Sequence, residues 1–333
     1  MKKIETYIVT GALGHLGSVI VSDLIKMGKK VRGFDLKNVK HNNLLENIEM
    51  VYGDITNKED VERLFANLTG DIYVIHSAAI VSISSFKDKR VYNVNVNGVK
   101  NIVDASISHK VKKFVYISSV HALPEGKKGS LIKEVEHFDP DLVVGTYAKT
   151  KAIAGEYVLD SIPKGLNACI VHPSGIIGPY DKGNGHLTRL FIDYLNGKLT
   201  AIVDGGYDFV DVRDVSIGTI NALLKGEVGK CYILTNRYVT IKELLGIAAK
   251  VSGNKEVKTV LPIWFAKSTA FLSEIYYKIR KIPPLYTSYS LYTLKANANF
   301  SHELATKELD YNPRNIEDTV KDMIDFIKEN NLK

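Results

Sequence analysis

The sequence predicts an α/β protein in which a parallel β-sheet carries helices on both faces. Short apolar strands alternate with helical patterns through the first half of the chain, which is typical of a doubly wound sheet. Most of these strands are nearly continuously apolar and rich in β-branched residues, as strands covered on both faces are. The length of 333 residues exceeds what one hydrophobic core usually fills, so we expect a second, smaller domain.

The elements follow from these patterns in chain order. Strands are predicted at 5–10, 30–35, 48–52, 72–76, 113–118 and 168–172. Helices are predicted between them at 16–27, 58–66, 93–108 and 147–161. Beyond Pro173 we expect loops, a short helix at 187–195 and a strand at 231–234 that returns to the sheet. From Thr240 the chain is expected to be mainly helical, ending with a helix at 316–330.

The composition is that of an ordinary globular protein, with 45% hydrophobic and 24% charged residues. The net charge is +7, but no cluster of lysines is interleaved with aromatic residues, so we expect no nucleic acid partner. The two cysteines, Cys169 and Cys231, form no disulfide framework and fit a reducing cytoplasm. No metal site is predicted, because His121, His137 and His186 are isolated; we expect them at the surface or at a pocket rim.

A glycine-rich turn joins the first strand to the first helix. It reads TGALGHLG at 10–17, with glycines at 11, 14 and 17. Glycine permits the tight turn, the close approach of a pyrophosphate to the backbone and close packing of the helix on the strand. The helix N-terminus offers free N–H groups to phosphates. This glycine spacing between a strand and a helix therefore predicts a dinucleotide site in a Rossmann-type domain.

The end of the second strand indicates which dinucleotide binds. Asp35 stands there, and a carboxylate at this place accepts hydrogen bonds from the adenosine ribose hydroxyls and repels a 2′-phosphate. Leu36 follows it, at a position where a site that prefers NADP would tend to carry an arginine. NAD is therefore favoured over NADP. Lys37 and Lys40 lie near enough to keep NADP as the less favoured alternative.

A tyrosine followed four positions later by a lysine is a candidate proton-transfer pair. On a helix the two side chains share a face. A nearby ammonium stabilises a phenolate and so lowers the pKa of the phenol. The spacing alone selects no pair, because it occurs at Tyr147/Lys151, Tyr194/Lys198, Tyr238/Lys242 and Tyr277/Lys281.

Several ordered motifs select one pair. They are TGALGHLG (10–17), YGDIT (52–56), VIHSAA (74–79), NVNG (95–98) and FVYISS (114–119). In this order they resemble the extended short-chain dehydrogenase/reductase superfamily, also called the NAD-dependent epimerase/dehydratase family, over essentially the whole chain. Tyr147 lies 28 residues after Ser119 and opens the next helix, where the family places its catalytic tyrosine.

The resemblance implies a role for each matching residue. The catalytic set is implied to be Ser119, Tyr147 and Lys151, with Asn95 as a structural asparagine near the active site. Ser119 would hold the substrate oxygen, Tyr147 would give or take the proton, and Lys151 would also bind the nicotinamide ribose. Asp54 and Ile55 would lie against the adenine. The residues implied to bind the cofactor are Gly11, Leu13, Gly14, His15, Leu16, Gly17, Asp35, Asp54, Ile55, Ala78, Ala79, Tyr147, Lys151, His172 and Ser174.

The change of pattern after Pro173 predicts the division into domains. We expect the NAD-binding Rossmann domain at 1–173, with 205–235 returning to it. The smaller, mainly helical substrate-binding domain is expected at 174–204 and 236–333. Its apolar and aromatic segment 262–289 could line a pocket, lie on a membrane surface as an amphipathic helix would, or simply pack within the domain.

The resemblance also bears on the substrate. Family members that act on sugar nucleotides commonly carry R-x-x-N-x-x-G-P, and a second arginine shortly before D-V-x-D. Here HPSGIIGP (172–179) places His172 and Gly175 at the first arginine and asparagine positions, and Tyr207 stands at the second arginine position. A site without these arginines and this asparagine makes fewer charge-assisted contacts to a diphosphate. This favours the branch that resembles dihydroflavonol reductases and 3β-hydroxysteroid dehydrogenases. Arg189 or Arg237 could still supply a phosphate contact.

Three functions stay open on the sequence alone. The first is an NAD-dependent oxidoreductase that interconverts a ketone or aldehyde and an alcohol on a relatively apolar small molecule. The second is a sugar or sugar-nucleotide epimerase or dehydratase, and the third is a redox-sensing or scaffold protein that binds NAD without turnover. The resemblance further implies a homodimer through the helices at 93–108 and 147–161.

Overall fold

The computed structural model describes residues 4–37, 48–83, 88–182, 185–268, 270 and 287–332. The strands are β1 Glu5–Thr10, β2 Lys30–Asp35, β3 Glu49–Tyr52, β4 Asp71–His76, β5 Lys113–Ile117, β6 Ala168–Pro173, β7 Gly175–Ile177, β8 Ala201–Val203, β9 Gly206–Asp211, β10 Cys231–Leu234, β11 Arg237–Thr240 and β12 Thr259–Leu261. The helices are α1 His15–Lys26, α2 Lys58–Phe65, α3 Lys89–Tyr92, α4 Val99–Ser108, α5 Thr146–Asp160, α6 His186–Leu195, α7 Val212–Lys225, α8 Ile241–Ser252, α9 Ser288–Thr293, α10 Glu303–Leu309 and α11 Ile316–Glu329.

The main sheet of the described chain has seven strands in the order β10-β6-β5-β4-β1-β2-β3. Every pairing between neighbours in it is parallel. All residues of β5 and β6 are buried, which explains their continuous apolar sequences. The predicted α/β fold with a doubly wound parallel sheet is therefore confirmed.

The sheet order places the site. The chain begins in the middle of the sheet, with β2 and β3 on one side of β1 and β4, β5 and β6 on the other. The strand order thus reverses between β1 and β4, and the crevice at the carboxyl ends of the strands there is where ligands bind in open α/β sheets. The turns after β1, β4 and β5 all open at this edge.

Helices cover both faces of the sheet. On one face Leu24 of α1 packs with Val215 of α7. On the other face Leu64 of α2, Ile102 of α4 and Ala152 of α5 share one core. The predicted return of 231–234 to the sheet is confirmed, because β10 pairs in parallel with β6.

A third core forms after β6. It joins Phe191 of α6, Phe209 of β9, Leu244 of α8 and Met323 of α11. Two smaller sheets, β11-β9-β7 and β12-β8, lie in the same part of the chain. The exact division into an NAD-binding and a substrate-binding domain stays a prediction.

The helix expected at 93–108 is not continuous. Residues Asn93–Gly98 form a π-helix, and α4 begins only at Val99. The wider π-turn contains Asn95, whose side chain bonds to a neighbouring segment, and Gly98, which lies against Ile55. Short π-segments of this kind are frequent at functional sites, and the apolar periodicity of the sequence does not reveal them.

No helix among the described residues is long and apolar enough to cross a membrane. Most of the segment 262–289, for which three placements were expected, lies outside the described residues, as do Lys40 and the Tyr277/Lys281 pair. The other predicted helices and strands agree with those observed to within one or two residues at their ends.

Leu64→Ala should lower the free energy of unfolding by about 2–5 kcal/mol, because the side chain is fully buried and its removal leaves a cavity in the core. Urea denaturation followed by circular dichroism measures the change. Leu224→Ala on α7 is the matched control, since that residue is 47% exposed and the expected change is within about 0.5 kcal/mol. Equal losses in the two variants would contradict this packing.

Candidate active site

The glycine turn after β1 is closed so tightly that two positions require glycine. Gly11 has a φ of +66°, and a Cβ atom there would lie 2.9 Å from the backbone of Ala78. A Cβ atom at Gly17 would lie 2.0 Å from the carbonyl oxygen of Gly11. A side chain at either position would therefore push α1, or the segment after β4, away from the turn.

The N-terminus of α1 is suited to an anion. Gly14 is its N-cap residue and offers no side-chain acceptor to the first turn, which also holds no acidic residue. The backbone N–H groups and the positive end of the helix dipole are thus left for a ligand. Together with the close approach that glycine allows, these features fit the phosphates of a dinucleotide.

The side chains of the same turn mainly serve the fold. Leu13 is buried, and its N–H group donates to Oδ2 of Asp35 over 2.8 Å. Nε2 of His15 donates to the carbonyl oxygen of Pro179 over 2.8 Å, and burial lowers the pKa of this imidazole. Leu16 packs against the core beneath α1. The backbone of the turn is therefore what remains for a phosphate.

Asp35 lies at the end of β2, next to the glycine turn. Its two carboxylate oxygens accept hydrogen bonds from the N–H groups of Leu13 and Leu36, each over 2.8 Å. Burial raises the pKa of Asp35, and the two N–H groups act in the opposite direction. Each oxygen keeps a lone pair with which to accept from a ribose hydroxyl.

Asp54 and Ile55 follow β3 and differ in exposure. Asp54 is exposed, and its Oδ1 accepts from the N–H and the hydroxyl of Thr56, each over 2.8 Å. Ile55 is buried against Gly98, where an added Cβ atom would lie 2.6 Å from the isoleucine side chain. The Ile55 side chain thus belongs to the core, and its implied contact with adenine stays a prediction.

The chain after β4 lies against the glycine turn. The hydroxyl of Ser77 donates to the carbonyl oxygen of Thr10 over 2.7 Å, and the N–H of Ala78 donates to the Thr10 hydroxyl over 3.3 Å. Ala78 and Ala79 are both half-buried. Two of the segments implied to bind the cofactor are therefore held together at one edge of the sheet.

Asn95 ties this segment to α5. The side chain is fully buried; its Oδ1 accepts from the N–H of Ile80 over 2.8 Å, and its Nδ2 donates to the Ile80 carbonyl over 3.0 Å. Nδ2 also donates to the Thr150 hydroxyl over 3.2 Å, and that hydroxyl donates to the carbonyl of Tyr147 over 2.7 Å. One amide thus positions the first turn of α5.

Ser119, Tyr147 and Lys151 converge at the carboxyl end of β5. Ser119 follows this strand, and the other two lie one turn apart on α5. The Ser119 hydroxyl acts on the Tyr147 phenol and lowers its pKa, and Nζ of Lys151 donates to the carbonyl of Ile117 over 2.8 Å. Each of the three residues is less than 10% exposed. This is the pair of tyrosine and lysine that the fold brings beside the glycine turn.

The other described pairs lie elsewhere. Tyr194 packs in the third core, and Tyr238 is exposed on β11. Neither follows a strand of the main sheet at the edge that carries the glycine turn.

Burial dominates the electrostatics of the site. It raises the pKa of Tyr147 to about 12, against the opposite effect of the Ser119 hydroxyl, and it lowers the pKa of Lys151 to about 7. The expectation that Lys151 lowers the pKa of Tyr147 therefore does not hold for the protein alone. The reason is geometric: the ammonium is directed at the Ile117 carbonyl and lies 4.9 Å from the centroid of the Tyr116 ring.

His172 and Ser174 lie behind the candidate catalytic residues. His172 is fully buried, and its Nδ1 donates to the carbonyl oxygen of Ser119 over 3.0 Å. Burial lowers its pKa to about 4, so this histidine is neutral. The hydroxyl of Ser174 donates to Oδ1 of Asp208 over 2.5 Å. The implied cofactor contacts of both residues stay predictions, while the observed contact of His172 supports Ser119.

Three aromatic residues pack together at the site in a way that was not predicted from the sequence, although His121 was expected at a pocket rim and Tyr207 at the second arginine position. The ring of His121 stacks on that of Tyr207, with centroids 5.3 Å apart, and meets Tyr147 edge-on at 6.2 Å. Tyr289 also contacts His121, at 6.1 Å. His121 lines a cleft, in keeping with a pocket-rim residue, but it is not isolated. His137 and His186 are exposed, as expected.

Tyr289 covers the start of the catalytic helix. Gly145, the N-cap residue of α5, has a φ of +98°, and a Cβ atom there would lie 2.3 Å from the Tyr289 ring. No spacing rule joins residues so far apart in the chain. The sequence signals available were the position of His121, two residues after Ser119, and that of Tyr207 at the second arginine position.

Lys151→Met should raise the free energy of unfolding most near pH 6, and the gain should shrink as the pH rises to 10. The folded-state pKa of about 7 lies below the usual value of about 10.4. At a pH between these two pKa values, Lys151 is protonated in the unfolded chain but not in the folded protein. The free energy of unfolding of the wild-type protein therefore rises with pH in this range. Methionine cannot titrate and keeps most of the volume.

Urea denaturation at pH 6, 8 and 10 measures this difference. Lys149→Met, the same change on the same helix at a side chain that is 45% exposed, is the control at each pH. A gain that is equal at all three pH values would contradict a depressed pKa at Lys151.

Comparison with known proteins agrees with this geometry. The sequence model of the NAD dependent epimerase/dehydratase family matches residues 7–234. Sterol demethylase protein B of Methylococcus capsulatus is 30% identical over 274 residues, which are 81% of this chain and 81% of that protein. A putative dihydroflavonol 4-reductase of Synechocystis sp. is 27% identical over 275 residues, which are 81% of this chain and 79% of that protein.

A solved structure shares the fold. UDP-glucose 4-epimerase of Thermotoga maritima, determined with UDP-glucose, matches with a TM-score of 0.79 over 97% of this chain and 99% of that chain, at 23% identity. The family match spans the glycine turn, Asp35 and the group formed by Ser119, Tyr147 and Lys151. The chain therefore belongs to the NAD-dependent epimerase/dehydratase family of extended short-chain dehydrogenases/reductases and is an oxidoreductase enzyme.

Proposed function

We propose that this enzyme interconverts a ketone or aldehyde and an alcohol on a relatively apolar small molecule, with NAD as cofactor. The observation that carries the proposal is the convergence of Ser119, Tyr147 and Lys151 beside the glycine turn. A hydroxyl, a phenol and an ammonium in one buried site are the groups needed to bind a carbonyl oxygen and move a proton to it.

Each residue has a distinct task in this reaction. The Ser119 hydroxyl, which acts on the Tyr147 phenol, holds the substrate oxygen. Tyr147 gives its proton to that oxygen in reduction and takes it back in oxidation. Lys151 holds the nicotinamide ribose and supplies a positive charge near the phenol. In the enzyme with bound cofactor, its ammonium can point elsewhere than at the Ile117 carbonyl. A bound nicotinamide supplies or accepts the hydride at the reacting carbon.

Asp35 supports NAD over NADP. Its carboxylate stands at the end of β2 and faces the turn through the hydrogen bond from Leu13. A carboxylate there binds ribose hydroxyls and repels a 2′-phosphate.

An apolar substrate is supported by the charges near Tyr207. Burial raises the pKa of Tyr207, and the carboxylates of Asp208 and Glu125 raise it further. Negative charge at this place disfavours a diphosphate. The names of the two relatives, a sterol demethylase protein and a dihydroflavonol reductase, point to ring-containing substrates for those proteins.

The same group of residues would also serve a sugar or sugar-nucleotide epimerase, in which the cofactor returns unchanged. NADH accumulation during turnover separates the two, since only the net oxidation of an alcohol accumulates it. A redox-sensing or scaffold protein would bind NAD and turn over neither kind of substrate. The homodimer through 93–108 and 147–161 and a cytoplasmic location remain predictions, the former measurable by light scattering.

Tyr147→Phe should abolish turnover and leave NAD binding within about threefold of wild type, because the ring stays and only the proton donor is lost. NADH absorbance with a panel of alcohols measures turnover, and calorimetry measures NAD binding. Tyr238→Phe, the same change in another tyrosine–lysine pair, is the control. A Tyr147→Phe variant that keeps most of its activity would refute the role of this phenol.

Asp35→Ala should weaken NAD binding more than NADP binding, by about tenfold in the ratio of the two dissociation constants. The variant loses the acceptor for the ribose hydroxyls and the repulsion of a 2′-phosphate. Titration of both cofactors into the two proteins gives the ratio. Asp88→Ala at the start of α3 is the control, and an unchanged preference in Asp35→Ala would count against NAD selection by this residue.

A further inference from the structure

His15 contacts both the glycine turn and the chain beyond β7. It is the first residue of α1 and directly follows the exposed N-cap residue Gly14. Its N–H group belongs to the first helical turn, where N–H groups have no partner within the helix and can bind an anion. Its side chain reaches a different segment, because Nε2 donates to the carbonyl oxygen of Pro179 over 2.8 Å. One residue thus joins two regions that lie 164 positions apart in the sequence.

Pro179 belongs to residues 178–181, which follow β7 and are called the link below. Tyr180 in the link has a φ of +77°. A tyrosine in this left-handed region is strained and keeps its conformation only where neighbouring contacts hold it. The bond from His15 to the adjacent carbonyl is one such contact. Another is the edge-on contact of the Tyr180 ring with Phe326 of α11, at 5.7 Å.

The link also anchors the start of α6. Asp181 is buried, and its Oδ2 accepts from the N–H of Gly185, the N-cap residue of α6, over 2.9 Å. In turn α6 contributes Phe191 to the third core, which also includes Met323 of α11. The position of the link therefore bears on two helices in the part of the chain that is expected to bind the substrate.

We propose that His15 is a positioning residue that couples occupation of the glycine turn by the cofactor to the order of the link and of α6. A diphosphate held by the first turn of α1 fixes the backbone of His15. A fixed His15 loses less freedom when it bonds to Pro179, so this bond is stronger in the protein with cofactor. Because coupling between two sites is reciprocal, the bond strengthens cofactor binding by the same factor.

This inference requires a dinucleotide at the glycine turn, but it does not require the reaction proposed for Tyr147. Titration of NADH fluorescence and hydrogen exchange of the full chain, with and without saturating NADH, test it. In the wild type, NADH should slow the exchange of the α6 amides about three- to tenfold, the factor that one hydrogen bond supplies.

His15→Leu removes the donor to Pro179. It should weaken NADH binding about three- to tenfold, since the lost coupling is that of one hydrogen bond. At saturating NADH its α6 amides should exchange nearly as fast as without cofactor, while the amides of the glycine turn stay protected. Circular dichroism verifies that the variant folds.

His15→Gln is the second variant. The glutamine amide carries an N–H donor at a reach similar to that of Nε2, so the bond to Pro179 can form again. We expect it to restore both NADH binding and the protection of α6. A side chain that only filled space at this position would not separate leucine from glutamine in this way.

His109→Leu is the matched control. Nε2 of His109 likewise has a partner, Oε2 of Glu62 at 2.9 Å, and the residue is the C-cap of α4. This variant should keep the wild-type affinity for NADH and the wild-type protection of α6. Within each protein, the control is the exchange of α10, because α10 packs in a different core from α6.

Protection of α6 by NADH that is lost in His15→Leu and regained in His15→Gln supports the coupling. Equal slowing in α6 and α10, unchanged protection in His15→Leu, or a His15→Gln variant that regains binding without protection would overturn it. No binding of NADH by the wild type would overturn the coupling and the proposed cofactor together. Binding with the expected protection, but without turnover of any alcohol, would overturn the proposed reaction alone.

Discussion

Parallel pairing of the central strands is the constraint on which the candidate site depends. Because β1, β2, β4 and β5 all run in one direction, their carboxyl ends meet at one edge. The glycine turn, Ala78 and Ser119 each follow one of these strands, and Asp35 is the last residue of β2. Residues far apart in sequence therefore become neighbours through sheet register alone, and the loops need little further structure to bring them together.

Polar bonds between the loops then fix the arrangement. Thr10 accepts from Ser77 through its carbonyl and from the Ala78 N–H through its hydroxyl, and Asn95 joins the next segment to α5. His172 reaches across from β6 to the carbonyl of Ser119. The side chains of Asn95 and His172 are fully buried, so leaving either of them unpaired would cost about 1–3 kcal/mol. The result is a site in which backbone and side chains hold each other in place.

Burial also decides which groups carry charge. The pKa of His76 falls to about 3, and those of His121 and His172 fall to about 4. These imidazoles are neutral at physiological pH, so they do not compete with Lys151 as a source of positive charge. Lys151 itself, with a pKa of about 7, is balanced between its two forms. A cofactor that satisfies its ammonium would shift this balance towards the charged form.

The sequence predicts those features of the fold and site that depend on a local pattern of residues, and it predicts tertiary contacts much less well. Strand positions, the glycine turn and Asp35 follow from hydrophobic periodicity and turn chemistry, and ordered motifs select Tyr147 among equal spacings. The π-helix at Asn93–Gly98 leaves no trace in periodicity. The direction of the Lys151 ammonium depends on the Ile117 carbonyl of another element. The contacts of His121 with Tyr207 and Tyr289 depend on tertiary packing, which spacing does not encode.

The contact between Gly145 and Tyr289 has a consequence for the order in which the enzyme matures. The N-cap of the catalytic helix is covered by a ring that the ribosome adds much later than α5 itself. On a growing chain the N-cap of α5 therefore lacks this ring until Tyr289 has been synthesised. The surroundings of Tyr147 that the structure shows require a residue from near the end of the sequence, although Tyr147 itself lies in the dinucleotide-binding half.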